Sequence, residues 1–314
     1  MGGPAAQTRP ARCLVPELIG MPSAKFGFIG CGSVGRTLAQ AFSRAGHQVA
    51  AAWSRGGEGA LQMQQEVEGL RALASAQAVA DTCDFVWLTV SDDAIARVAD
   101  GIAWQSHHKV VHCSGATDIE ALAKAKSDGA TIGGFHPLQM FTDPAVALRG
   151  LPGVTVGVEA AEPAFLETLK RLAGDIGCTT VEVPRGQRAI YHASVYYVGP
   201  FFIALLSEAV SIWKSFSASE RDALNALLPL LAGTTSAVTS SSLAKGMGGC
   251  VARGDVGTVR RHIAAIDLFS PNAGELYRSL TERTIPLGLA RASLTTSVAD
   301  QIREALSTAP TAKG

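Results

Sequence analysis

Apolar residues follow two rhythms along this chain, and the change between them falls near Pro184. Before it, short near-continuous apolar runs alternate with stretches of helical period. After it, the helical period stands alone. Lys25–Ile29, Gln48–Trp53, Arg71–Leu73, Asp84–Val90, Lys109–Cys113, Thr131–Phe135, Gly153–Val158 and Thr179–Val183 have the composition of buried strands. Between them, Val34, Leu38, Ala41, Phe42 and Ala45 form a helical stripe that Gly46 ends. Further helices are expected over 59–69, over Ala94–Ala99 with Ser91 at its start, and over Pro163–Ile176. Another opens at a Thr117-x-x-Glu120 capping box. Strand and helix in alternation predict an α/β fold, a doubly wound parallel sheet.

Past Pro184 the pattern predicts an all-α half. One long helix runs from Arg188 to about Phe216, kinked at Pro200. Ser217-x-x-Glu220 is a second capping box, opening Arg221–Leu231. Helices over Thr235–Lys245 and Val256–Ile266 follow, the latter capped by Asp255. One after Pro271-Asn272 and one over Ser293–Leu306 complete the set. The organisation expected is an α/β domain over 23–185, a helical domain over 186–309, and a disordered tail over 1–22, where Gly, Pro, Ala and Arg abound without a signal-peptide core.

The first strand–helix junction carries chemistry. Gly30, Gly32 and Gly35 stand in the G-x-G-x-x-G spacing inside a complete β-α-β unit. The first glycine permits a sharp turn, the second lets backbone approach a pyrophosphate, and the third lets helix pack on strand. The helix N-terminus adds free N–H groups and a positive dipole end. Gly30, Cys31, Gly32, Ser33, Val34 and Gly35 are therefore the expected cofactor loop, with Cys31 a small filler. After the second strand, no acid suited to a ribose 2′-hydroxyl precedes Glu58; Ser54 and Arg55 stand there instead. A hydroxyl and a guanidinium suit a 2′-phosphate, and so NADP(H) is the preferred cofactor; the lesser alternative is that Arg55 is a surface residue at a strand end.

Composition narrows the partners. With 27 basic and 27 acidic residues among 314 the chain is neutral, which argues against nucleic-acid or membrane-surface binding. The six cysteines show no paired spacing; neither a metal site nor a disulfide framework is expected, and a cytoplasmic location fits. Val195–Leu206 is apolar but too short to span a bilayer.

Ligands of such sheets bind at the carboxyl ends of the strands, where Ser91, Ser114 and His136 fall. His136, held before Pro137, could relay a proton or satisfy loop backbone groups. Ser114 could bond a substrate oxygen or simply make its turn, and His112 has a structural place within its strand. His192 and Tyr196, four apart on the first long helix, share a face that either meets substrate or packs. Arg253, in a glycine-rich loop, could clamp a carboxylate or pair with Asp255.

Taken together, the glycine triplet, His112-Cys-Ser-Gly115, Gly134-Phe-His-Pro-Leu-Gln139, the Tyr191-His192 pair and Val251-Ala-Arg-Gly-Asp255 resemble a bacterial family of Rossmann-like proteins. Their C-terminal half is known as domain of unknown function 2520 (DUF2520). The resemblance covers nearly all of residues 23–306. It implies an NADP-dependent oxidoreductase with a helical half similar to that of 6-phosphogluconate dehydrogenase, β-hydroxyacid dehydrogenase and ketopantoate reductase. Members commonly carry Asn near the position of Pro200, so the chain departs there from the family pattern. The function expected is reduction or oxidation of a small carbonyl, hydroxy-acid or imine substrate between the two halves. NADP(H) would lie on the glycine loop and reach Ser91; Ser114, His136 and His192 would serve catalysis, with Tyr196 and Arg253 on the substrate. A homodimer through the long helix is expected on family analogy. The alternative is a nucleotide-binding sensor without turnover, favoured by Pro200 and by the lack of a lysine at position 192.

Overall fold

The computed structural model describes residues 24–307; the tail expected over 1–22 lies outside them. The described residues divide between Gly199 and Pro200 into two compact units. The change of sequence character near Pro184 thus precedes the structural division, and the first helix after it belongs with the sheet.

In the first unit, strands β1 (Phe26–Ile29), β2 (Val49–Trp53), β3 (Arg71–Ala72), β4 (Phe85–Leu88), β5 (Lys109–His112), β6 (Thr131–Pro137), β7 (Thr155–Ala160) and β8 (Thr179–Glu182) make one sheet, ordered 3-2-1-4-5-6-7-8. Strands β1 to β6 are parallel, as the alternation predicts. Strand β7 pairs antiparallel to β6, and β8 follows β7, so the sheet is mixed rather than wholly parallel. Helix α1 (Ser33–Arg44), α2 (Glu58–Glu66), α3 (Ala76–Thr82), α4 (Ile95–Asp100), α5 (Ala123–Ser127) and α6 (Pro144–Gly150) follow the early strands in order. After α6 the chain enters β7 from the edge that β6 has just reached, and the strand runs back along it.

The pairing also corrects the reading of His136-Pro137. Both are inside β6, opposite Gly157 and Val156, rather than beyond its end. A ladder with β7 on one side accommodates Pro137 at the strand terminus.

Both faces of the sheet are covered. Phe26, Phe28, Trp87, Val111 and Phe135 pack under α1, α6 and α7 (Pro163–Asp175), meeting Leu38, Phe42, Phe165 and Leu169. Ile29, Val86, Leu88 and Val110 pack on the other face with Val79, Ile95, Ile119 and Leu122. That second face changes character toward β7. Register sets Ile29, Leu88, His112, Gly134 and Glu159 in one row across five strands, apolar at β1 and polar at β7.

Helix α8 (Arg188–Val198) ends at Gly199, and α9 (Pro200–Lys214) begins with Pro200 in its first turn. The single kinked helix of the sequence reading is therefore two helices, because proline at a first turn starts a helix more readily than it continues one.

The second unit comprises α9, α10 (Glu220–Ser240), α11 (Leu243–Gly246), α12 (Gly249–Ala252), α13 (Val256–Phe269), α14 (Pro271–Ala290) and α15 (Thr296–Ser307). Val259, Ile263, Ile285, Ala299 and Ile302 form its core, and Asp267 holds Arg278 through two bonds of 2.6 Å. Asp255 caps α13 as expected, accepting from the Thr258 N–H at 2.9 Å. Two boundaries differ. Ser219, not Ser217, caps α10, and that helix runs on to Ser240, absorbing most of the separate helix expected over Thr235–Lys245. In the first unit, Asp118 rather than Thr117 precedes the 3-10 turn Ile119–Leu122, because the Thr117 hydroxyl is taken by Ser114.

Candidate active site

The glycine loop has the geometry that its spacing requires. Gly30 sits at φ +97°, and a Cβ there would lie 2.7 Å from the Thr89 carbonyl. A Cβ on Gly35 would lie 2.6 Å from the Gly30 oxygen, so α1 packs directly against the turn. Gly32 is different: no atom lies within 4 Å of its absent Cβ. It precedes Ser33 at the N-terminus of α1, where no side chain caps the helix and no acid occupies the first turn. Free N–H groups over open space are what an anionic group needs. The Thr89 hydroxyl fixes the loop from β4's end, donating to the Gly30 carbonyl at 2.5 Å. Cys31 is buried, its thiol pushed up to about 11 chiefly by burial, which keeps it protonated and inert.

Of the neighbouring candidates, Ser54 accepts from the Ala60 N–H at 3.1 Å and so anchors the start of α2. Arg55 is exposed and makes no hydrogen bond or ion pair with any described residue. Ser91 is exposed at the start of the turn Asp92–Ala94 with its hydroxyl unused for capping.

A second cluster forms where α8 crosses β6 and β7. Three glycines make room for it. A Cβ on Gly134 would meet the Arg188 guanidinium, with Cζ at 2.6 Å; one on Gly157 would meet the Tyr191 ring, with Cζ at 2.7 Å. One on Gly115 would meet His136 at 2.7 Å from Cε1 and 2.8 Å from Nε2, and His192 as well. Residues 188, 191 and 192 share one helix face, so a single docking presents all three.

Within the cluster, His136 Nδ1 lies 3.0 Å from the Tyr191 hydroxyl. The His136 and His192 rings stand edge to face with centroids 5.4 Å apart, and Tyr196 stands 6.0 Å from His192. Burial, aided by His192 and Arg188, holds His136 down at about 4, so it is uncharged near neutrality. Burial pushes the Tyr191 hydroxyl up to about 12, and it keeps its proton. His112, fully buried, is held at about 3 for the same first reason.

Two residues that sequence reasoning passed over complete it. Arg188 is fully buried, donating from Nε to Glu159 at 2.6 Å and from a terminal nitrogen to the Ser114 carbonyl at 2.7 Å. Glu159 is 5% exposed, and burial raises its carboxyl against the pull of Arg188. Ser114 itself accepts from the Ala116 and Thr117 N–H groups at 3.2 and 3.0 Å and donates to Thr117 at 2.9 Å. Its hydroxyl thus builds the turn. Ser114, His136, His192 and Tyr196 come together as the sequence suggested. Arg253 belongs to the second unit, exposed after α12, where its charge helps hold the Asp255 carboxyl down without a hydrogen bond between them. A groove of about 750 Å³ in the first unit shares only Glu159 with the cluster; Ile119, Lys126, Ile132, Glu182 and Arg185 also line it.

Parallel strands, an open glycine loop and an imidazole cluster at the same carboxyl edge define a dinucleotide-fold protein with a candidate active site. Residues 25–114 match the family described as NADP oxidoreductase, coenzyme F420-dependent, and residues 154–284 match Domain of unknown function (DUF2520). The chain thus joins an NADP-oxidoreductase-type Rossmann domain to a DUF2520 domain. No curated protein matches its sequence. Among solved structures, protein TM1727 from Thermotoga maritima is similar at 21% identity, over 85% of this chain and 99% of its own, with a TM-score of 0.67. The candidate NADP oxidoreductase BF3122 from Bacteroides fragilis is similar at 20% identity, over 84% and 98%, with a TM-score of 0.66. Plasmodium falciparum pyrroline carboxylate reductase with NADP bound follows at 16%, over 86% and 100%, with a TM-score of 0.57. At these identities the likeness is one of fold.

Proposed function

We propose that this protein is an NADP(H)-dependent oxidoreductase that transfers hydride to or from a small carbonyl, hydroxy-acid or imine compound. The observation that carries this reading is the convergence of His136 and His192 on the bare Cα of Gly115, at the sheet edge that also bears the open Gly32 turn. Gly32 and the first turn of α1 would hold the pyrophosphate, and Ser54 and Arg55 the 2′-phosphate, in keeping with the free guanidinium of Arg55. When bound, the nicotinamide supplies or accepts the hydride.

The chain's own residues would manage the proton. The Tyr191 hydroxyl donates to Nδ1 of His136, which leaves the imidazole proton on Nε2. From there the neutral ring donates a hydrogen bond to the substrate oxygen or nitrogen as charge develops on it. His192, whose ring nitrogens make no hydrogen bond with described residues, is the exchangeable proton donor. Tyr196 flanks it on the substrate side. That pyrroline carboxylate reductase shares the fold supports testing cyclic imines beside oxo-acids.

Two further proposals concern the setting. Arg188–Lys214 is apolar enough by length and composition to cross a membrane, at a mean hydropathy of 1.6. Its break at Gly199 and the docking of Arg188, Tyr191 and His192 on the sheet speak against insertion in lipid. Instead, Ile190 (66% exposed) and Val198 (78%) suit a homodimer in the cytoplasm, which light scattering tests; a monomer would count against it.

The functional test has two stages. NADPH fluorescence should change on mixing with the protein, and a panel of oxo-acids and cyclic imines should then draw the cofactor down. No fluorescence change sinks the reading altogether. Binding without consumption across the panel favours a sensor instead.

A further inference from the structure

Arg188 stands at the first turn of α8, where the helix dipole opposes a cation, and it has no exposure to water. Glu159, on the strand opposite, is its carboxylate. A buried ion pair of this kind is often no more stable than apolar side chains of the same volume. Here the sheet also gives up a side chain at Gly134 to admit the guanidinium. Such an arrangement calls for a reason other than holding the helix down.

The contacts supply one. The guanidinium spans from β7 to the Ser114 carbonyl, which belongs to the Ser114–Gly115 turn. Gly115 is the surface against which both His136 and His192 rest. We propose that Arg188, paired with Glu159, is the positioning residue of the imidazole site, fixing the turn beneath both rings and setting the field around His136. This rests on the function proposed above for His136 and His192.

The field follows from the groups that face His136. From α8 these are Arg188, Tyr191 and His192, and from β5, His112; Glu159 of β7 faces Arg188, and Asp118 of the turn after β5 faces Glu159 and His112. Arg188 is the one permanent cation among them, and it disfavours a second positive charge on His136. Removing both members of the pair withdraws that cation without leaving a naked carboxylate. The double variant Arg188→Met, Glu159→Leu keeps volume and is the appropriate perturbation.

The test is the titration of histidine Cε1–H resonances by NMR in the full-length protein, with His136→Asn to assign the signal. The double variant should move the His136 midpoint upward, measurably but by less than one pH unit because burial and His192 hold it down more than Arg188 does, and cut turnover tenfold or more, with NADPH affinity within twofold of wild type. Arg188→Lys keeps the charge but loses the planar fork that reaches Glu159 and Ser114 together. It should leave the midpoint low while turnover falls, and it decides the matter if the double variant does not fold. An unmoved His136 midpoint in a folded double variant would overturn the proposal, as would wild-type turnover in Arg188→Lys. The midpoint needs no substrate, so it reads the positioning role even where the search for a substrate fails.

Discussion

Replacing Gly134 with alanine should damage this protein far more than its position in the middle of a strand suggests. Strand interiors ordinarily gain from alanine in place of glycine, by roughly 0.5–1 kcal/mol. At Gly134 the new methyl would stand 2.6 Å from Cζ of Arg188, where ordinary contact begins near 3.4 Å. The guanidinium, whose terminal nitrogen lies nearer still, must retreat by at least 3.4 − 2.6, or about 0.8 Å, and neither of its bonds to Glu159 and Ser114 has slack, at 2.6 and 2.7 Å. Overpacking of that kind costs about 1–3 kcal/mol, and disrupting a buried ion pair about 3–5 kcal/mol. The two overlap, so a net loss of about 3–5 kcal/mol is expected. At roughly 2–4 °C per kcal/mol for a domain of this size, Tm should fall by about 6–20 °C. Gly233, inside α10 with no atom within 4 Å of its missing Cβ, is the internal control: alanine there should raise stability by about 0.5–1 kcal/mol. Thermal and urea unfolding of the two variants beside wild type measure both effects. A Gly134→Ala protein melting within 2 °C of wild type, roughly the smallest shift that 1 kcal/mol would produce, would refute the docking of Arg188 over this strand.

Other expectations follow from the same geometry. Gly32→Ala places a methyl in empty space, so Tm should hold while NADPH affinity falls at least tenfold; unchanged affinity in a fluorescence titration would mean that no phosphate sits there. Arg55→Ala should weaken NADPH by about 10–100-fold, the worth of a charge-assisted bond, and NADH hardly at all; equal weakening of both would remove Arg55 from the 2′-phosphate. Acid should destabilise the fold earlier than carboxylate titration alone would. His136 is held from 6.5 down to about 4 and His112 to about 3, so the unfolded chain binds protons that the folded one refuses. Their contribution is complete above pH 6.5 and is lost as pH falls through the window down to those values, on the order of 3 kcal/mol for His136. Urea midpoints between pH 7 and 5 check it, and His136→Asn should flatten the slope.

Much of the fold was legible because its signals are local. The glycine loop, the strand runs and the Asp255 cap each declare themselves within a few residues. The reversal of β7 was not, since an antiparallel and a parallel strand of this apolar composition read alike and only the long-range pairing with β6 tells them apart. The site was half legible. His136 and His192 stood out as titratable groups near strand and helix ends, and both are in the cluster. Arg188 and Glu159 did not. Arg188 follows Pro184-Arg-Gly-Gln, a context that reads as surface, and Glu159 alternates with valines as a solvent-facing strand residue would. Only the register of β6 with β7, and the empty place at Gly134, bring the two together. Ser114 illustrates the converse: its turn is as expected, but its hydroxyl is occupied by Thr117 and by two backbone N–H groups.

The central claim is that hydride transfer from NADPH runs on the His136–His192 cluster. The most direct measurement follows NADPH consumption by wild type and by His136→Asn side by side, with oxo-acids and cyclic imines, after each protein has been shown to bind NADPH equally. The account predicts consumption by wild type with at least one compound and a loss of about 100-fold or more in the variant, the scale of a positioned proton-transfer group. Equal rates in the two proteins, or tight NADPH binding with no consumption by either, would contradict it.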